Sequence, residues 1–165
     1  MGNDRDSSPA KDARFGMTEE NRGAVCAVAR SWLGTPYHHM GRVKGAGVDC
    51  AMFPLEVYRA AGIVDDIAVP YYPQDWMMHR SDEVYLGVVQ RYAREISPAA
   101  SSQQPVARPG DFVLYHFGRC WSHGAIVIDW PLVIHALTNK GVLLADGERE
   151  GCLVGRARRF FSPWR

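Results

Sequence analysis

The sequence predicts a single α+β domain in which N-terminal helices pack on an antiparallel sheet of about five strands. Apolar residues recur at helical spacing in the N-terminal part of the chain. Short runs rich in β-branched residues, separated by turn residues, follow in the C-terminal part. The chain has 165 residues, of which 47% are apolar, so it is long enough to bury one core.

The first helix is expected over residues 19–33. Thr18 is a favourable N-cap residue, the two glutamates after it suit the first turn of a helix, and Gly34 marks the end. Residues 1–16 are polar and offer almost nothing to bury, so we expect them to form a flexible or partner-docked arm. The domain then comprises residues 17–165.

Two further helices are expected before the strands. The second begins near Cys50, after a glycine-rich loop, and ends at Gly62. Pro54 lies just beyond the positions whose N–H groups are free in any helix, so it removes one backbone hydrogen bond or loosens the first turn. The third helix follows Ser81 and ends before Pro98.

Short β-rich runs in the C-terminal part predict the strands of the sheet. They cover residues 111–115, 124–129, 132–136, 141–145 and 153–160. Several arginines crowd the end of the chain, namely Arg156, Arg158, Arg159 and Arg165. We interpret them as the solvated face of an edge strand in preference to a patch for a wall polymer or a partner.

The charges nearly balance, with 19 Lys and Arg against 18 Asp and Glu, which argues against a nucleic-acid partner. Residues 1–16 lack the apolar centre of a signal peptide, and no apolar run reaches the ~18 residues needed to span a bilayer. We therefore expect a protein that is made in the cytoplasm, has no export signal and is not inserted in a membrane. Another component must then carry it to any substrate outside the cytoplasm.

Cys50 is the candidate nucleophile. It follows a glycine-rich loop and opens a helix, where the free N–H groups and the helix dipole favour the thiolate form. The other cysteines, Cys26, Cys120 and Cys152, form no CxxC pair, and we expect them to be small buried hydrophobic residues.

Two histidines offer the base that a catalytic cysteine needs. His123 stands at the start of one predicted strand and His135 lies within the next. If these strands form a hairpin about residues 129–131, the two imidazoles can lie side by side on one face of the sheet. One would then act as the base and the other would orient it. A purely structural role for each histidine stays open on chemistry alone.

These residues also resemble a known family, the NlpC-type cell-wall peptidases. The resemblance covers about residues 22–145 and rests on several separate motifs whose order and spacing fit. The motifs are Leu33-Gly34-Thr35-Pro36-Tyr37, Gly45-Ala46-Gly47-Val48-Asp49-Cys50, Pro109-Gly110-Asp111, Ser122-His123-Gly124-Ala125-Ile126-Val127 and Ile134-His135-Ala136.

The resemblance implies a papain-like fold and an enzyme that hydrolyses peptidoglycan stem peptides without a cofactor. It makes Cys50 the nucleophile, His123 the base and His135 the residue that orients the base. Tyr37 resembles a tyrosine whose hydroxyl helps to bind the substrate or its oxyanion. Asp49 resembles a residue that holds a substrate amine in some members; in the alternative interpretation it is only a helix N-cap.

A substrate and a branch of the family are implied in the same way. The usual target of the family is the bond between the γ-carboxyl of D-glutamate and diaminopimelate. Residues 37–39, 43–50, 72–76 and 85–86 are similar to peptidases encoded with phage tails and gene-transfer agents. The resemblance therefore implies tail or baseplate proteins as partners, and a virion-associated enzyme that acts on the cell wall in the periplasm.

Three alternatives stay open. Ala51-Met52-Phe53-Pro54 stands where most members have Ser-Gly and an aliphatic pair, so the pocket floor is expected to differ. The first alternative is therefore a catalytically silent structural or plug component of a tail tip. An amidase or acyltransferase on the same fold is a second alternative. A zinc site is the third, although no HExxH or paired CxxC motif accompanies it and we expect no metal. Its candidate ligand sets are Cys50 with His123 and His135, and His116 with Cys120 and His123.

Overall fold

The computed structural model describes residues 18–96 and 107–163, so the arm expected at residues 1–16 lies outside the described residues. The helices are Glu19–Ser31 (α1), Met52–Ala60 (α2), Trp76–His79 (α3) and Val84–Tyr92 (α4). The strands are Arg42–Val43 (β1), Gly47–Val48 (β2), Arg94–Ile96 (β3), Phe112–Phe117 (β4), Cys120–Asp129 (β5), Leu132–Leu137 (β6), Gly141–Asp146 (β7) and Arg158–Ser162 (β8). A 3-10 turn, Gly151–Leu153, precedes β8.

The three predicted helices are present, and the first two differ from the prediction only by a few residues at their ends. Thr18 caps α1, since its side chain accepts a hydrogen bond from the N–H of Asn21 at 3.3 Å. The helix after Cys50 ends at Ala60, and Gly62 follows with a φ of 72°, a left-handed conformation that glycine adopts without strain. The short helix α3 and the small two-stranded sheet of β1 and β2 were not predicted from the sequence.

The α+β fold class is confirmed, but the main sheet has six strands and not five. Its order is β3-β8-β4-β5-β6-β7, and each neighbouring pair is antiparallel. The additional strand is β3, whose residues were expected to end the third helix. Ala93 is extended, with φ of −139° and ψ of 149°, so the chain leaves the helix after Tyr92 and pairs with β8.

Strand β3 also corrects the interpretation of the C-terminal arginines. Because β8 lies between β3 and β4, it is not an edge strand. Arg159 makes two hydrogen bonds to the Glu95 carboxylate on β3, at 2.7 and 2.6 Å, and Arg158 pairs with Glu148 at 2.5 Å. Arg158 and Arg159 therefore take part in ion pairs within the fold, while Arg165 lies outside the described residues. Gly155 turns the chain with a φ of 68°, so the run expected at 153–160 becomes a strand only from Arg158.

The sheet carries an apolar cluster on each face, because successive side chains of a strand point to opposite sides. Phe112 and Leu114 of β4 belong to the cluster that α1, α2 and α4 cover. Val113 and Tyr115 belong to a smaller cluster on the other face, together with Leu153. The helices therefore lie on one side of the sheet, where α2 contacts β5 and β6.

A buried ion pair joins α1 to the start of β4. Arg22 donates to the Asp111 carboxylate at 2.8 Å and to the carbonyl of Pro109 at 2.8 Å. Gly110 between them has a φ of 84°, and its carbonyl accepts a hydrogen bond from the buried Tyr58 hydroxyl at 3.0 Å. The Pro109-Gly110-Asp111 motif is thus an anchor for the helical layer.

Among the residues that the structure describes, no helix has the length and apolar character needed to cross a bilayer.

Candidate active site

Asp49 starts the helical turn that presents Cys50. The Asp49 carbonyl accepts from the N–H of Phe53 at 2.9 Å. Its Oδ1 accepts from the N–H groups of Ala51 at 3.1 Å and Met52 at 2.9 Å. These are the bonds of an N-cap residue, so Cys50 is the first residue inside the helical turn and its own N–H has no partner within the helix.

Tyr85 compensates for the hydrogen bond that Pro54 removes. In a regular helix the carbonyl of Cys50 would accept from the N–H four residues later, and Pro54 has none. The Tyr85 hydroxyl of α4 instead donates to the Cys50 carbonyl at 3.3 Å. Met52 and Phe53 are buried in the core. The unusual stretch after the nucleophile is therefore accommodated by the neighbouring helix and the core.

The two predicted histidines meet on the sheet. Strands β5 and β6 form the expected hairpin, with Ile126 opposite Ile134. His123 Nε2 lies 2.8 Å from His135 Nδ1. Both side chains are buried, at 6% and 2% exposed. Because Nε2 of His123 is occupied by His135, Nδ1 is the ring nitrogen left to act as a base, and we assign the Nε2–H tautomer to His123 on that ground.

Cys50 and His123 line the same cleft, of about 470 Å³, together with Tyr37, Ser122 and Thr138. The Cys50 Sγ lies 3.7 Å from the carbonyl oxygen of Ser122, the residue before His123. The thiol is therefore held near the start of β5, next to the candidate base.

Aromatic rings hold His123 on its other sides. The Phe117 ring centroid lies 4.8 Å from that of His123, and the Tyr115 ring lies 6.3 Å away. The guanidinium of Arg156 stands over the Phe117 ring, 4.3 Å from its centroid, a cation–π arrangement. The imidazole is therefore packed in one orientation by Phe117 and by its contact with His135.

Burial disfavours the charged forms of the Cys50 thiol and the His123 imidazole. Desolvation, followed by the nearby Asp49 charge, raises the pKa of Cys50 to about 12, although the backbone N–H groups of Cys50 and Gly124 oppose the rise. Desolvation, His135 and Arg156 lower the pKa of His123 to about 3. Desolvation also lowers the pKa of His135 to about 4. Burial therefore opposes the thiolate form that the helix N-terminus favours.

The Asp49 carboxylate is fully engaged. Its Oδ2 accepts from the N–H of Met40 at 2.7 Å and from the Tyr72 hydroxyl at 2.6 Å, while its Oδ1 caps the helix. The residue is only 1% exposed. These contacts support the N-cap interpretation, and contact between Asp49 and a substrate amine stays a prediction.

Tyr37 lines the cleft that contains Cys50. It is half-buried and is paired through its backbone to Val48 by an isolated bridge. Burial and the neighbouring Cys50 and Asp49 raise the pKa of its hydroxyl. The hydroxyl is therefore a proton donor at neutral pH, as a group that binds a substrate carbonyl or its oxyanion needs to be.

Four residues around the site were not predicted from the sequence to belong to it. Tyr72 binds Asp49, Tyr85 binds the Cys50 carbonyl, and Phe117 and Arg156 pack around His123. Tyr72 and Tyr85 belong to the stretches that resemble phage-tail peptidases, and this resemblance was the available sign that they matter. The stretches do not indicate which atoms the two side chains contact. Within residues 18–96 and 107–163, no group of three or more His, Cys, Asp or Glu side chains is arranged to hold a metal ion.

Comparison with known proteins gives a family and a fold. The profile of the NlpC/P60 family matches residues 34–152. The NlpC/p60 domain of the peptidoglycan hydrolase SagA is 21% identical with a TM-score of 0.54, over 84% of this chain and 96% of that one. A Staphylococcus aureus protein of the NLP/P60 family is also 21% identical, with a TM-score of 0.53, over 86% of this chain and 41% of that one.

A third similar structure is RipD from Mycobacterium tuberculosis, described as a non-catalytic NlpC/p60 domain protein adapted to a peptidoglycan-binding function. It is 16% identical with a TM-score of 0.51, over 90% of this chain and 98% of that one. A search among curated proteins found no match. At these identities the structural likeness is one of fold.

Proposed function

The chain belongs to the NlpC/P60 family, and from that premise we propose that it is a cysteine peptidase that cleaves peptidoglycan stem peptides. The single observation that carries the proposal is the 2.8 Å contact of His135 with His123, which lines the cleft that also contains Cys50. A nucleophile, a base and a residue that orients the base are the parts that this chemistry needs.

The first half of the reaction forms a thioester. The Cys50 proton moves to Nδ1 of His123 as Sγ attacks the carbonyl carbon of the substrate. Loss of this proton makes the sulfur reactive, because the thiolate is the nucleophilic form. The Cys50 N–H, which lacks a helical partner, and the Tyr37 hydroxyl are the donors available to the developing oxyanion.

The second half restores the enzyme. His123 gives its proton to the departing amine as the C–N bond breaks. Water then attacks the thioester, His123 accepts a proton from that water, and the thiol leaves as the acid product forms. His135 Nδ1 accepts the Nε2–H of His123 throughout, so the ring keeps the tautomer that leaves Nδ1 free.

The proposal has two finer parts, the peptide bond that is cleaved and the assembly that carries the enzyme to the wall. The family resemblance supports cleavage between the γ-carboxyl of D-glutamate and diaminopimelate. The stretches similar to phage-tail and gene-transfer-agent peptidases support delivery by a tail tip to the cell wall.

A silent wall-binding role is the second candidate, because one similar structure is a non-catalytic domain. In this chain the candidate triad is present in full, and the Cys50 carbonyl has a hydrogen-bond donor despite Pro54. Both features favour catalysis.

Incubation with muropeptides from diaminopimelate-type peptidoglycan tests the proposal, with products identified by mass spectrometry. Cys50→Ala is expected to abolish new fragments, and the matched control Cys26→Ala, a partly buried thiol in α1 that contacts the carbonyl of Val127, is expected to keep them. Binding of muropeptides without cleavage by the wild type would favour the silent role.

A further inference from the structure

The cleft of about 470 Å³ at the candidate active site has apolar walls and one carboxylate. Its apolar side chains include Met77 of α3, Phe117 of β4 and Leu137 of β6. Asp75, the residue just before α3, is the one Asp, Glu, Lys or Arg among the described residues that line the cleft. The proposed mechanism gives this carboxylate no role.

The position of the base decides which part of a substrate enters this cleft. Cys50 and Ser122 line both the cleft and a second cavity of about 350 Å³, whereas His123 lines the cleft but not the second cavity. His123 must face the leaving group because it returns the proton to the departing amine. The leaving amine therefore lies in the cleft, and the acyl group lies toward the second cavity.

The Asp75 carboxylate is accessible and only partly engaged. Its side chain is 65% exposed, and Oδ2 contacts Nε2 of the exposed His79 at 3.0 Å. The side chain makes no capping hydrogen bond to α3. Because an ion pair between two exposed side chains contributes little, His79 does not prevent the carboxylate from binding another cation.

Apolar walls with one carboxylate match an alkyl chain that ends in an ammonium group. The alkyl part of such a chain would leave water as it packs on Met77, Phe117 and Leu137. Its ammonium would donate charge-assisted hydrogen bonds to Asp75. An anionic side chain would instead face the like charge of Asp75. Among amino acids, this combination favours a diamino acid, such as diaminopimelate or lysine.

We propose that the cleft is the leaving-group subsite and that Asp75 binds the side-chain ammonium of a diamino acid there. The inference rests on the proposed function, because it requires that His123 protonates the leaving amine. It adds a residue that selects the amino acid from which the leaving amine comes. Asp75 then determines specificity and takes no part in breaking the bond.

Two peptides that differ only in one amino group test this role. They are L-Ala-γ-D-Glu-L-Lys and L-Ala-γ-D-Glu-L-norleucine, in which norleucine keeps the alkyl chain and lacks the side-chain ammonium. The ratio of their kcat/KM values removes the effects of a variant that both peptides share, such as partial unfolding or a change in the nucleophile.

Asp75→Asn keeps the size of the side chain and is expected to lower the lysine-to-norleucine ratio about fivefold. Asp75→Lys should lower the ratio further, because it places a like charge beside the lysine ammonium. The matched control Asp65→Asn, at an exposed site outside the cleft, is expected to keep the wild-type ratio. Added salt should reduce the wild-type ratio, since it screens an exposed ion pair.

Binding of the same peptides to Cys50→Ala, measured by calorimetry with and without Asp75→Asn, separates this inference from the proposed function. A Kd ratio that depends on Asp75 supports the subsite even if the wild type cleaves neither peptide, a result that would overturn the proposed cleavage alone. Cleavage of both peptides with a ratio that Asp75→Asn leaves unchanged overturns the subsite and leaves the proposed function intact. Absence of both cleavage and binding overturns the two together.

Discussion

The Tyr85 hydroxyl donates a hydrogen bond to the carbonyl oxygen of Cys50, at 3.3 Å, in the place of the backbone bond that Pro54 cannot make. The bond ties α4 to the first turn of the nucleophile helix. It also shows how a sequence that departs from its family just behind the nucleophile keeps that turn intact.

The first prediction follows from this bond. Tyr85→Phe leaves the Cys50 carbonyl without its donor and should lower the free energy of unfolding by about 1–2 kcal/mol. In a Pro54→Ala background the restored N–H can bond the same carbonyl, so the cost of Tyr85→Phe should shrink. Urea unfolding of the four proteins of this double-mutant cycle measures the difference. Equal costs in both backgrounds would contradict the assignment.

The second prediction concerns the close approach of α4 to β5. A Cβ on Gly124 would lie 2.4 Å from the Tyr85 hydroxyl oxygen and 2.5 Å from Phe112 Cζ. Gly124→Ala should therefore destabilise the fold by about 1–3 kcal/mol and displace Tyr85. Gly87→Ala in α4, where a Cβ meets nothing within 4 Å, should instead gain about 0.5–1 kcal/mol. Thermal unfolding compares them, and a neutral Gly124→Ala would refute the contact.

The third prediction concerns the charge next to the nucleophile. Asp49 raises the pKa of the Cys50 thiol, so Asp49→Asn should lower that pKa while its amide oxygen still caps the helix. The rate of Cys50 alkylation by iodoacetamide should then reach its alkaline plateau at a lower pH than in the wild type. The exposed Asp65→Asn is the matched control. A plateau at the same or a higher pH would show that Asp49 does not act through its charge.

The fourth prediction concerns the base. Arg156 helps to lower the pKa of His123, after burial and His135. Arg156→Gln removes a positive charge, so the imidazolium becomes less unfavourable and the pKa of His123 rises. As the pH falls, His123 would then become protonated at a higher pH, so the acid limb of the kcat/KM profile moves to higher pH. Arg156→Lys keeps the charge and should leave the limb near its wild-type position, whereas a purely structural role predicts no shift with either variant.

Local patterns in the sequence were sufficient for part of the fold and of the site. The Thr18 cap, the helix after Cys50, and the hairpin that joins His123 to His135 all depend on residues close together in the chain. Strand β3 was missed because it has three residues, two of them charged, and becomes a strand only by pairing with β8. Such distant pairing leaves no local periodicity.

The same reason explains which features of the site were not predicted. The helix N-terminus that favours a Cys50 thiolate can be recognised in the sequence, whereas the burial and the Asp49 charge that raise the pKa of the thiol depend on the folded structure. Likewise, Tyr72 and Tyr85 reach the nucleophile turn from 23 and 35 residues away. These contacts depend on the tertiary fold, which the spacing of single motifs does not specify.

The central claim is that Cys50 forms the thioester and that His123 returns the proton. Its most direct test is an acid quench of the enzyme during turnover of muropeptides, followed by mass spectrometry of the cysteine-containing peptides. The account predicts an acyl adduct on the peptide that contains Cys50, and none on those with Cys26, Cys120 or Cys152. Turnover that proceeds without an adduct on Cys50, and persists in Cys50→Ala, would contradict it.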